Sequence, residues 1–368
     1  MRRPSWIIST LSDYRIIKKG VRGGALRRPA NIIMEWYYYL IIVAATVAVF
    51  ALVLTLGPAI LIYNTAFGHR QDKNPQFKYF TPEDFNLTVE HMPVRLRGVE
   101  LAANLYTIKP VKECERVVIF QHGFGAGTSS YMTEIAHFAK QGYAVVAVDA
   151  LGCNDSAGKS IRGFYAGAEA VIAAYIGVNC DNRLKNKSVI LVGHSWGAYS
   201  VLAACASVKV DGVVAISGFN SPAQCVHDML KTMGGLGRLY APLTFGWIRL
   251  INFFKFGAKG NMSAAKAVKK SGVKVLLIHG EKDPTVKLKH SASNKVKGDN
   301  VTALILPEKR HNPYNTVAAE VKLAELTGGH KFESEAEAKE YLAAFDWAAA
   351  TEEDAEVMSK IDSFIESV

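Results

Sequence analysis

Apolar and polar positions divide the chain into three stretches of different pattern. From Trp36 to Gly68 no residue is charged, and Leu40–Leu56 reads LIIVAATVAVFALVLTL, interrupted only by Thr46 and Thr55. A helix over Tyr37–Leu56 would rise about 30 Å, the depth of a bilayer's hydrocarbon core, with Gly57-Pro58 ending or kinking it. Trp36, Tyr37, Tyr38 and Tyr39 stand at one end and Tyr63 past the other, where amphipathic rings favour the headgroup layer. A buried core helix rarely runs this long without a charged edge. A cleaved leader has an apolar run of roughly 7 to 15 residues and then a small-x-small site, which Asn64-Thr65-Ala66 matches poorly. The expectation is an uncleaved transmembrane anchor over 36–63 and a polar tether over 64–86.

From Leu87 the pattern turns regular. Leu87–Val94 and Val99–Ile108 read as an opening hairpin, and Arg116–Gln121 (RVVIFQ) is an apolar run of the kind buried on both faces of a sheet. Similar runs follow at Tyr143–Val148, Ser188–Val192, Gly212–Ile216, Val273–Ile278 and Val301–Leu306. Helical patterns separate them at about Tyr131–Lys140, Arg162–Ile176 and Trp196–Val208. This alternation predicts an α/β domain over 87–330, a mostly parallel sheet with helices on both faces and its site at the carboxyl ends of the strands. Residues 331–368 read as an acidic helical extension, with helix starts at Ser334-x-x-Glu337 and Thr351-x-x-Asp354 and no function assigned.

Charge changes the picture in one place. The 368-residue chain carries a net +10, yet residues 1–35 hold eight basic side chains against two acidic ones, and 331–368 hold eleven acidic against three basic. The remaining positive charge is scattered singly, without the aromatic interleaving of nucleic-acid binders, so no nucleic-acid partner is expected. A basic flank before an anchor stays cytoplasmic, which places the domain over 87–330 outside the cytoplasm. There Asn86-Leu87-Thr88, Asn261-Met262-Ser263 and Asn300-Val301-Thr302 are candidate glycan sites. Five cysteines, Cys114, Cys153, Cys180, Cys205 and Cys225, contain no CxxC pair and indicate neither a zinc site nor a disulfide framework, leaving room for one bridge of unassigned pairing.

Candidate chemistry falls at strand ends. The run Ser188–Val192 leads into Gly193-His194-Ser195-Trp196-Gly197 and then a small-residue helix. A sharp strand-to-helix turn needs glycines on both sides of the serine and lifts its hydroxyl above the sheet, while the helix start offers the Trp196 N–H to developing negative charge. His122-Gly123-Phe124-Gly125-Ala126-Gly127 follows Gln121 where a second oxyanion donor is needed, with the Phe124 N–H as first candidate and Gly125 as its rival. Asp283, in His279-Gly280-Glu281-Lys282-Asp283-Pro284, and His311, after the last strand, complete the order Ser, Asp, His. Each also has an ordinary role: a glycine turn, the Asp-Pro start of a helix, a surface loop histidine.

These residues resemble the α/β-hydrolase superfamily, near its monoglyceride lipase, lysophospholipase and serine aminopeptidase-like members. The likeness spans roughly Asn86–Glu325: the HG loop at His122-Gly123-Phe124, the elbow at Gly193–Gly197, the acid motif HGxxDxxV at His279–Val286, and His311. The family's D-x-x-G-x-G-x-S loop is met by Asp149, Gly152 and Ser156, with Asn154 in place of the second glycine. The resemblance implies a lid over 218–270, where Leu239–Phe256 is apolar and aromatic, and a triad of Ser195, His311 and Asp283 with an oxyanion hole from Phe124 and Trp196. It further implies an acyl-enzyme route that needs no metal or cofactor, acting on ester or lipid-like small molecules. An acyltransferase, a peptidase and a non-catalytic binding protein remain alternatives on the same fold.

Overall fold

The computed structural model describes residues 30–74, 78–328 and 332–368. The expected cytoplasmic segment up to residue 29 and residues 75–77 of the expected tether lie outside the described residues. The chain divides into two compact units, 1–54 and 55–368. The first helix among the described residues, Ala30–Phe67 (α1), is exposed along 36–54, and Trp36–Phe67 is long and apolar enough to cross a membrane by length and composition. Gly57-Pro58 does not end it. Proline costs the helix a hydrogen bond, but Ala59, Tyr63 and Phe67, four residues apart, are buried within the second unit, and that packing holds the turns beyond Pro58.

Nor is the start of the following stretch a free tether. The Gln71 N–H donates to the Gly152 carbonyl (2.9 Å), and the Asn154 N–H donates to the Gln71 carbonyl (2.8 Å). The expected opening hairpin is four short strands, Thr88–His91 (β1), Val94–Leu96 (β2), Val99–Leu101 (β3) and Ala103–Thr107 (β4). β2 and β3 pair with each other, while β1 pairs with β4 in the main sheet. The positive φ of Arg97 and Gly98 turns the chain between β2 and β3, which the alternation of apolar residues does not reveal.

The remaining order is Arg116–Gln121 (β5), Met132–Lys140 (α2), Ala144–Val148 (β6), Tyr165–Cys180 (α3), Ser188–His194 (β7), Trp196–Ala204 (α4) and Gly212–Ile216 (β8). Pro222–Thr232 (α5), Gly235–Phe256 (α6) and Ala264–Ser271 (α7) fill the expected lid region. Lys274–Gly280 (β9), Ala292–Lys295 (α8), Val301–Leu306 (β10), Val317–Gly328 (α9), Glu335–Ala344 (α10), Trp347–Ala350 (α11) and Ala355–Glu366 (α12) follow. The sheet runs β1-β4-β6-β5-β7-β8-β9-β10. It is parallel from β6 to β10 and antiparallel at the β1-β4-β6 edge. The strands β5 to β9 are almost wholly buried, as helices on both faces require.

Topology fixes where chemistry gathers. β5 lies between β6 and β7, so the chain leaves its carboxyl end toward one side and returns on the other, opening a crevice there. Gln121 is level with Gly193 in the β5–β7 register, so the loops that follow the two strands emerge side by side.

The acidic extension is not an appendage. Val357, Met358, Ile361 and Ile365 form the buried stripe of α12 and join Ile135, Phe138 and Val192 in the core. His137 of α2 lies between Asp362 (3.0 Å) and Glu353 (3.2 Å). Burial opposes its charge, but the two carboxylates outweigh that and raise its pKa to about 9. Ser334 caps α10 through the Glu337 N–H, as the sequence predicts, whereas α12 is capped by Asp354 rather than Thr351. All five cysteines are free thiols.

Candidate active site

Ser195 sits between β7 and α4 with φ 57° and ψ −115°, a backbone region that side-chain-bearing residues seldom occupy. Close approach dictates its flanking glycines. A Cβ on Gly193 would stand 2.4 Å from the Gly197 carbonyl oxygen, and one on Gly197 would stand 2.0 Å from that of Gln121. The turn is anchored where the Ser195 N–H donates to the Ile216 carbonyl (2.7 Å) and the Trp196 indole donates to that of Phe164 (2.7 Å).

The structure brings all three expected side chains together. His311 Nε2 is 3.0 Å from Ser195 Oγ, and His311 Nδ1 is 2.8 Å from Asp283 Oδ2. Asp283 Oδ1 accepts the Thr285 and Val286 N–H groups at 2.8 and 2.9 Å. Burial pushes the Asp283 pKa up, but the hydrogen bond and charge of His311, with the Val286 N–H, hold it below its ordinary value. An ionised Asp283 accepts from Nδ1–H, which leaves Nε2 as the lone pair facing the serine hydroxyl. His279, buried by the strand end, donates Nε2–H to the Val286 carbonyl (2.9 Å) and so holds the loop that carries Asp283.

The glycine loop arrives beside the serine. A Cβ on Gly123 would lie 3.5 Å from Ser195 Cβ. His122 braces this loop: the Ala150 N–H donates to its Nε2 (3.0 Å), so Nδ1–H donates to the Gly123 carbonyl (2.7 Å). The rival donor, the Gly125 N–H, is taken by the Gln71 side chain at 2.7 Å. Among the described residues the Phe124 and Trp196 N–H groups donate to no protein acceptor, which makes them the amides available to an oxyanion. Asp149 supports the loop from the next strand through the Thr128 N–H (2.7 Å). The Asn154 side chain occupies the space where a Cβ on Gly127 would fall, so the departure at Asn154 is matched by a glycine opposite.

One pair of residues has no prior role in the sequence reading. The Gly123 N–H donates to the Tyr131 hydroxyl (3.1 Å), the hydroxyl donates to His194 Nδ1 (2.8 Å), and His194 Nε2–H donates to the His311 carbonyl (2.8 Å). Burial drives the His194 pKa down to about 3, so the ring stays neutral and this proton order is fixed. The relay ties the glycine loop to the backbone of His311. Its sequence signal is only the variable position of G-x-S-x-G, which no pattern marks. Tyr131→Phe strands the Gly123 N–H and His194 Nδ1 in a dry interior and is expected to lower unfolding stability by about 1–3 kcal/mol, read by chemical denaturation.

A cavity of about 290 Å³ lies against the glycine loop and the residue after His311, with Gly125, Ala126, Tyr131, Asn312, Tyr314 and Trp347 in its wall and none of the three triad side chains. On α6, Ala241, Thr244, Ile248 and Asn252 are buried, while Leu236, Leu239, Leu243, Leu250, Phe253 and Phe254 are exposed.

A family model described as the alpha/beta hydrolase fold matches residues 116–242. No curated protein matches the chain. Among solved structures, a Pyrococcus furiosus esterase is similar at 18% identity and a TM-score of 0.50, covering 71% of this chain and 97% of its own. An acylaminoacyl peptidase from Pyrococcus horikoshii is similar at 18% identity and a TM-score of 0.47, covering 62% of this chain and 38% of its own. The chain has the α/β-hydrolase fold, with a mostly parallel central sheet flanked by helices.

Proposed function

We propose that this chain, an α/β-hydrolase fold by sheet and turn geometry, is a membrane-anchored serine hydrolase that cleaves carboxylic esters carrying an acyl chain. The supporting observation is the unbroken hydrogen-bonded line from Ser195 through His311 to Asp283, built on a strained turn. Ser195 Oγ attacks the ester carbonyl carbon as His311 Nε2 takes the hydroxyl proton. The carbonyl oxygen becomes an oxyanion, received by the Phe124 and Trp196 N–H groups. Collapse breaks the bond to the alcohol oxygen, which leaves with the proton from Nε2. Water, deprotonated by the same nitrogen, then attacks the acyl-serine, and the acid and free Ser195 are released.

Two features support a lipid-like substrate and a membrane setting. The exposed apolar stripe of α6 gives the lid an outer face suited to acyl chains, and Trp36–Phe67 is apolar over a membrane's depth. The basic residues before that helix favour an orientation with the catalytic domain outside the cytoplasm.

Labelling of the full chain with a fluorophosphonate, then peptide mapping, is expected to place the label on Ser195. Turnover of p-nitrophenyl esters is expected to rise from acetyl to octanoyl. Faster cleavage of an acyl-peptide than of any ester would move the reading to a peptidase, and acyl capture by an added alcohol in preference to water would move it to an acyltransferase. A folded chain that takes no label would remove the enzyme reading.

A further inference from the structure

We propose that Gln71, in the strap that leaves the apolar helix, is a positioning residue for the oxyanion hole, so that the helix end and strap are a working part of the site. The inference rests on the hydrolase reading above and goes beyond it by giving a role to a segment outside every motif. Since a peptide bond is planar, the direction of a residue's N–H is fixed by the carbonyl of the residue before it. Two successive planes shape the loop beside Ser195. In the first, the Gly123 carbonyl accepts from His122 Nδ1–H, which turns the Phe124 N–H the opposite way. In the second, the Gly125 N–H donates to Gln71 Oε1 at 2.7 Å, which fixes the Phe124 carbonyl in turn. Gly125 has φ +75° and no side chain to resist rotation, and among the described residues the bond to Gln71 is the one hydrogen bond on the second plane, so its loss leaves that plane free to swing its carbonyl oxygen toward the site. A carbonyl dipole turned that way repels an oxyanion.

Gln71 is itself held firmly. Its N–H and carbonyl are both bonded to the loop at Gly152 and Asn154. The neighbouring Arg70 guanidinium donates to the carbonyls of Asn154, Ser156 and Gly158, the last two at 2.9 and 2.6 Å. Upstream, the Phe67 ring lies edge-on to Phe124 with centroids 6.0 Å apart and 4.8 Å from that of Phe164. The Tyr63 hydroxyl stands 2.9 Å from both the Arg162 carbonyl and Asn252 Oδ1 of the lid helix. The last turns of the helix therefore grip the loop and the lid, and the strap delivers one acceptor to one amide.

The test compares the full wild-type chain in detergent with Gln71→Met, which has the same reach and no comparable acceptor, and Gln71→Glu, which keeps one. For p-nitrophenyl octanoate, Gln71→Met is expected to lower kcat about tenfold with KM within about twofold, a fraction of what loss of a whole oxyanion donor costs. Its fluorophosphonate labelling rate falls in parallel, its melting temperature stays near wild type, and Gln71→Glu loses less. Wild-type kcat in Gln71→Met overturns the proposal. So does a loss shared equally by both variants, or one that tracks a lowered melting temperature. If the wild-type chain neither labels nor turns over the ester, the hydrolase reading itself fails first and this one with it, an outcome told apart by the wild-type result alone.

Discussion

Ser195→Ala is expected to reduce kcat/KM by a factor on the order of 10⁵ or more while leaving the fold intact, because the variant removes the attacking oxygen and little else. Among the described residues Ser195 Oγ has a single protein partner, His311 Nε2 at 3.0 Å, and the backbone anchor to Ile216 does not depend on the side chain. Alanine keeps the Cβ, so the strain of φ 57° persists and the melting temperature should move little. Ser195→Gly separates the two effects: it is equally inactive but gains stability relative to alanine, because glycine tolerates a positive φ. Ester turnover and thermal melting of the three proteins check both statements. Retention of more than about one part in a thousand of wild-type turnover would mean that Ser195 is not the nucleophile, since oxyanion binding alone cannot restore a missing attacking group.

The alternation of apolar strands and helices made the sheet and its parallel order legible, because strands buried on both faces must be apolar throughout. The elbow and the residues His122, Asp283 and His311 were legible because each falls at a strand end and each belongs to a residue type with chemistry to perform. What escaped was set by contacts distant in sequence. Residues 64–86 read as a tether because polar residues mark loops, yet the backbone of Gln71 joins the Asp149 loop and its side chain reaches Gly125. Gly57-Pro58 read as a helix end or kink because proline's local cost is real, and the burial of Ala59, Tyr63 and Phe67 offsets it. Tyr131 and His194 form their relay across 63 positions of sequence. The acidic tail concealed a core helix because charge dominates its composition while four apolar positions, Val357, Met358, Ile361 and Ile365, decide its packing.

Asp283→Asn is expected to lower kcat by about 10⁴ with small change in KM, through the wrong histidine tautomer rather than lost geometry. The direction follows from how the carboxylate is held. Its Oδ1 accepts two backbone N–H groups, from Thr285 and Val286, and only Oδ2 faces His311 Nδ1. An asparagine in this place must keep its oxygen on the two backbone donors, since turning its NH₂ toward them would set donor against donor. Its NH₂ is then presented to His311 Nδ1, which must accept, and the ring proton moves to Nε2. A protonated Nε2 faces Ser195 as a donor and has no lone pair to take the hydroxyl proton. Charge works in the same direction: Asp283, held below its ordinary pKa by His311 and the Val286 N–H against the penalty of burial, is in the proposed mechanism the counter-charge for the imidazolium that forms in each half of the reaction. The check is steady-state kinetics with ¹⁵N NMR of His311 in the full chain, where the proton on Nδ1 in the wild type should appear on Nε2 in the variant. Near-wild-type kcat in Asp283→Asn would leave Asp283 as a cap for the Thr285–Val286 turn and no more, and His311 would then have to be oriented by its backbone bond to His194 and its contact with Ser195 Oγ.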